Sequence, residues 1–118
     1  MAYVDGYVLP VPRKNLGAYR RMARLAGKIW RKYGALQYFE CVGDDLHPKH
    51  VALTFPRTVR AKPGETVVFS FVVFKSRAHR DRVNARVMKD PSLDTPNQAM
   101  PFDMKRMAYG GFKVLVEA

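Results

Sequence analysis

The stretch TVVFSFVVF, residues 66–74, is apolar at every position except Thr66 and Ser70. A half-buried strand alternates apolar with polar residues, whereas a strand apolar on both faces has to be covered on both. A fold for this chain must therefore place 66–74 inside a sheet and find a cover for each side of it.

The flanking patterns supply one cover. Residues 2–11 (AYVDGYVLPV) alternate as a strand, with Tyr3, Asp5, Tyr7 and Leu9 on one face and Val4, Gly6 and Val8 on the other. Residues 15–34 carry Leu16, Tyr19, Ala23, Ala26, Trp30 and Tyr33 at three- and four-residue steps, the stripe of an amphipathic helix. Asn15 is placed to cap its start and Gly34 to end it. Arg20, Arg21, Arg24, Lys28, Arg31 and Lys32 fall off the stripe with no acid among them. Residues 35–43 read as a second strand, with Tyr38, Glu40 and Val42 on one face and Phe39 and Cys41 on the other. In the long connection that follows, LTFPRTVRA (53–61) reads as an extended piece. Residues 76–90 form a second helix, with Ser76 as N-cap and Pro91 as stop. Its core-facing side carries Val83, Val87 and Met88 around Arg80 and Asn84, with His79 at the edge. A Pro-rich connection, 91–106, leads to a last strand, 107–118.

The order β-α-β-β-α-β implies an α+β fold of ferredoxin-like type: a four-stranded antiparallel sheet with two helices on one face. The 118 residues make one domain, 1–118. The small face of the first strand, Val4, Gly6 and Val8, suits close helix packing. Tyr3, Asp5, Tyr7, Phe69, Phe71 and Tyr109 are then expected on the opposite, open face. A monomer rarely leaves that much apolar area bare. One occupant is RNA, because Phe69-Ser70-Phe71-Val72-Val73-Phe74 partly matches an RNA-recognition strand, and the formal charge is +11. The strand lacks the leading Lys/Arg-Gly of that motif, and the cations lie on the helices. A second copy of the chain, giving a homodimer, fits better. It leaves no specific nucleic-acid partner and no membrane partner.

YVDGYVLPVPRKNLGAYRRMA, YGALQYFECVGDD, VVFSFVVFKSRAHRDRVNARVMKDP and MPFDMKRMAYGGFKVLVEA together resemble the YbaA-like bacterial family, a domain of unknown function. The resemblance spans nearly the whole chain. It implies a dimeric α+β barrel, related in fold to antibiotic-biosynthesis monooxygenases, and it carries over no catalytic residue.

In barrels of that kind ligands bind between sheet and helices. His79, Arg80 and Asn84, with Asp103 and Arg106 from the last connection, are the candidates to line such a cleft for a small anionic or aromatic molecule. Cofactor-free, monooxygenase-like oxidation there is compatible with the fold. The alternative is that local carboxylates, Asp103 or Asp81, occupy Arg80 and Asn84. On the cleft reading Arg80→Met costs within roughly 1–2 kcal/mol. His47 and His50 sit near Asp44, Asp45 and Cys41, but at no zinc spacing, so no metal and no cofactor is expected. The single Cys41 reads as a small core residue, and with no signal segment it points to a cytoplasmic protein.

Overall fold

The computed structural model describes residues 2–93 and 100–118. Its elements are β1 (Tyr3–Pro12), α1 (Leu16–Lys32), β2 (Gln37–Val42), α2 (Phe55–Thr58), β3 (Glu65–Phe74), α3 (Arg77–Met88) and β4 (Ala108–Lys113). Short 3-10 turns lie at Arg13–Asn15, Pro91–Leu93 and Met104–Arg106. Residues 94–99 of the Pro-rich connection lie outside the described residues.

The four strands form one antiparallel sheet in the order β2-β3-β1-β4. The two-sided apolar strand β3 is interior, as its composition demands, and pairs with β1 along its full length from Tyr3↔Phe74 to Pro12↔Glu65. Because β2 and β1 both run antiparallel to β3, they are parallel to each other, and α1 joins them. By the same logic α3 crosses from β3 to the parallel strand β4.

Both long helices cover the same face. Ile29 and Ala35, in and just after α1, and Val83 and Val87 from α3 bury against Tyr3, Val72 and Phe74. Tyr19 and Ala23 of α1 bury against Leu9, Val11 and Val68. Ser76 caps α3, its Oγ accepting the His79 N–H at 3.1 Å. Gly34 ends α1 at φ +117°, a backbone state that favours glycine.

The register reverses the expected faces of β1. Tyr3, Asp5 and Tyr7 point to the helices, in line with Ser70, Val72 and Phe74, and Tyr109 of β4 lies on that same side. Val4, Gly6 and Val8 share the open side with Phe69 and Phe71. The small-residue face does not take the helices because Asp5 can be buried only where a partner reaches it, and that partner is Arg80 of α3. Phe69 and Phe71 stand where the sequence put them.

Smaller expectations are corrected as well. LTFPRTVRA holds the short helix α2 rather than an extended piece. The last strand stops at Lys113, leaving Leu115 and Val116 exposed. Met88 is exposed, and so is Cys41, on the open face. Asn15 does not cap α1; its Nδ2 donates to the Pro101 carbonyl at 3.1 Å. No described helix is long and apolar enough to cross a membrane.

Candidate functional site

Polar groups gather at three places on the sheet. The first is centred on Asp5, whose side chain is fully buried. Arg80 reaches down from α3 and places Nη1 3.2 Å from Asp5 Oδ1 and 2.7 Å from the Tyr109 hydroxyl. Its Nη2 lies 3.3 Å from the Tyr3 hydroxyl, and the guanidinium sits 4.9 Å from the Tyr3 ring centroid. Asn84, one helical turn on, donates from Nδ2 to Asp5 Oδ2 at 3.4 Å and accepts from Trp30 Nε1 at 3.0 Å. Burial pushes the Asp5 carboxyl above the usual carboxylate range, against the opposing pull of Arg80. Arg80 Nε lies 2.9 Å from Asp81 Oδ1 but off the line of a hydrogen bond, and that atom is buried without one. Gly111 is part of this packing, since a Cβ there would stand 2.4 Å from the Tyr3 hydroxyl oxygen.

Arg80 and Asn84 are thus engaged by protein groups, and none of the described cavities is lined by either. His79 is half-buried at the rim; its Nδ1 accepts the Lys75 N–H at 2.9 Å, and burial together with Lys75 lowers its pKa. Asp103 and Arg106 lie elsewhere. Arg106 grips Glu65 with two bonds of 2.7 Å and bonds Asp103 at 3.0 Å. Glu65 opens β3, whereas Asp5 pairs with Val72 near its other end, so this ion cluster is a separate strap. It holds the segment before β4 against the start of β3.

The space that could hold a ligand lies between α1 and β2. A cavity of about 540 Å³ is bounded there by Leu16, Arg20 and Arg24 of α1 and by Tyr38, Glu40 and Val42 of β2. A smaller one, of about 150 Å³, continues inward to Trp30, Ser70 and Phe102. Tyr19, Tyr38 and Glu40 line both, forming the partition between them. The Tyr19 hydroxyl donates to Glu40 Oε1 at 2.7 Å and the Tyr38 hydroxyl to Oε2 at 2.6 Å. Burial, then the Glu40 charge, raises the pKa of both phenols, so they stay protonated donors. Gly27 makes room for the arrangement: a Cβ there would meet the Tyr38 ring at 2.9 Å.

This triad escaped the sequence reading, although one signal was present. Glu40 alternates with Tyr38 and Val42 on one strand face, and a carboxylate in that company needs partners. Nothing local says that one of them is Tyr19, on a different element. Among the described residues no cluster of three or more His, Cys, Asp or Glu is placed to hold a metal ion, and His47 and His50 are exposed.

Fold and site together define a small α+β protein with a four-stranded antiparallel sheet, a helix layer on one face and a carboxylate-floored cleft beneath the first helix. The chain belongs to the family described as "Protein of unknown function (DUF1428)", which matches residues 2–104. It is 40% identical over 117 residues to "Uncharacterized protein YbaA" of Escherichia coli strain K12, with 99% of both chains covered. The same identity and coverage hold for the protein of that description from Shigella flexneri. Among solved structures, the de novo designed protein Foldit4 covers 97% of the chain at a TM-score of 0.48 and 12% identity, too loose a likeness to bear on the reading.

Proposed function

We propose that this protein is a ferredoxin-like dimeric α+β barrel that binds a small anionic or aromatic molecule in the cleft between α1 and β2. The observation that carries the ligand reading is the cavity of about 540 Å³ with the Tyr19–Glu40–Tyr38 triad inside it. Ligand sites are typically clefts of this size, apolar in the main, with a few converging polar groups. The sequence expected the site at His79, Arg80, Asn84, Asp103 and Arg106; the cleft offered here lies beneath α1, whereas Arg80 and Asn84 reach down from α3.

The quaternary reading is supported by the open face. Phe39, Phe69 and Phe112 are exposed there, Phe39 stacks on Phe71 at 5.0 Å, and no side chain that the strands turn to that face around them is charged; the exception is Glu65, at the end of β3, which Arg106 engages. A nucleic-acid surface would set cations among its aromatics. A second copy of the same uncharged surface is the better complement.

A thermal-shift screen of small aromatic and anionic compounds tests the cleft. Val42 faces the cavity and is more than half exposed, so Val42→Trp should fill the space without unfolding the protein. Ligands of the cleft raise the melting temperature of the wild type and not of Val42→Trp. Ligands that stabilise both equally would place binding elsewhere.

A further inference from the structure

The cleft is electrically two-ended. Arg20 and Arg24 stand one turn apart on the same side of α1, where i and i+4 residues are neighbours, and both line the cavity. Neither is in a described ion pair. Among the described residues Glu40 is also without a cation: its partners there are two neutral phenols, one on each oxygen. A carboxylate offers about four acceptor positions, so roughly two stay free. An unpaired cationic rim and an acceptor-rich interior therefore share one apolar-walled space.

We propose that the cleft selects a dipolar aromatic molecule, a hydroxyaryl carboxylic acid. Its carboxylate lies on Arg20 and Arg24, its ring lies among Leu16, Val42 and Tyr38, and its hydroxyl donates to Glu40. Arginine suits the first contact because its planar fork matches a carboxylate. A hydroxyl suits the second because it would be a third neutral donor beside Tyr19 and Tyr38. An ammonium group would instead have to approach past two arginines on a chain of formal charge +11. The inference rests on the cleft reading above and adds the ligand's polarity and orientation to it.

Isothermal titration with 4-hydroxyphenylacetate, phenylacetate and 4-hydroxyphenylethanol tests it, since the last two each lack one end. The two-ended compound should bind roughly ten- to a hundredfold more tightly than either. In Arg20→Gln/Arg24→Gln, a surface change that leaves the fold alone, its advantage over the alcohol should vanish. In Glu40→Met its advantage over phenylacetate should vanish. Equal affinities for all three compounds, or an unchanged ranking in Arg20→Gln/Arg24→Gln, overturns the proposal. So does the absence of binding by 4-hydroxyphenylacetate at millimolar concentration. If anilinonaphthalene sulfonate then still binds the wild type and not Val42→Trp, the cleft stands and only the ligand class falls. If its binding ignores Val42→Trp, the cleft reading falls too.

Discussion

Arg80→Met is the sharpest probe of how this fold is held. The substitution keeps the length of the side chain but removes the cation 3.2 Å from a fully buried Asp5, along with the donors to Tyr3 and Tyr109. Breaking a buried pair from one side costs about 3–5 kcal/mol, because the other charge is left uncompensated. Protonation sets a ceiling. A carboxyl of ordinary pKa 3.8 can be held neutral at pH 7 for roughly 4 kcal/mol, at about 1.4 kcal/mol per pH unit. A loss of about 3–4 kcal/mol at pH 7 is therefore expected, more than the roughly 1–2 kcal/mol that follows if Arg80 lines a cleft. The sign of its pH dependence follows. In the variant the folded-state pKa of Asp5 lies above its unfolded value, so its contribution is favourable at low pH and lost as pH rises. The penalty should shrink by up to about 1.4 kcal/mol for each unit from pH 7 toward pH 4. Asp5→Leu added to Arg80→Met should restore most of the stability, since an apolar pair replaces an ion pair at little cost. Urea unfolding at fixed protein concentration reads all of this. A loss below about 1 kcal/mol, or one that is flat between pH 5 and pH 7, refutes the assignment of Asp5 and Arg80 as a buried, mutually dependent pair.

Light scattering at micromolar concentration should give twice the chain mass, and Phe71→Asp, which sets a charge beside Phe39 on the open face, should give a monomer. A wild-type monomer would revive the RNA reading. Single-stranded RNA should bind weakly and with steep salt dependence, and Phe71→Ala should leave that binding unchanged, because the exposed cations of α1 lie on the opposite face. The Glu65 carboxyl is held at about 2, below its ordinary 4.5, chiefly by Arg106. A depressed folded pKa stabilises above the unfolded value and is lost as pH falls from about 4.5 to about 2. Thermal unfolding of Glu65→Gln should accordingly be less stable at neutral pH and decline less steeply across that acid range.

Much of the architecture was legible because it is local. The two-sided apolar run of β3, the Tyr19–Ala23–Trp30 stripe of α1, the Ser76 cap and Gly34 each state a requirement that nearby residues satisfy. The uncharged open face around Phe69 and Phe71 follows from that same run. The cleft was not legible, since its parts are ordinary one by one: a tyrosine on a helix, and a tyrosine and a glutamate on a strand.

The sequence by itself determined the four main strands and the two long helices, though not the short helix α2 or where β4 ends, and it determined that β3 lies inside the sheet, because periodicity and capping act within a few residues. Only the tertiary structure decided which face of β1 meets the helices. Residue size favoured Val4, Gly6 and Val8, but a buried carboxylate needs a cation. The cation that serves Asp5 is Arg80, 75 residues further along the chain. The Tyr19–Glu40 contact, 21 residues apart, was decided in the same way. Pairing between distant polar groups depends on where the backbone brings them, and no local pattern encodes that distance.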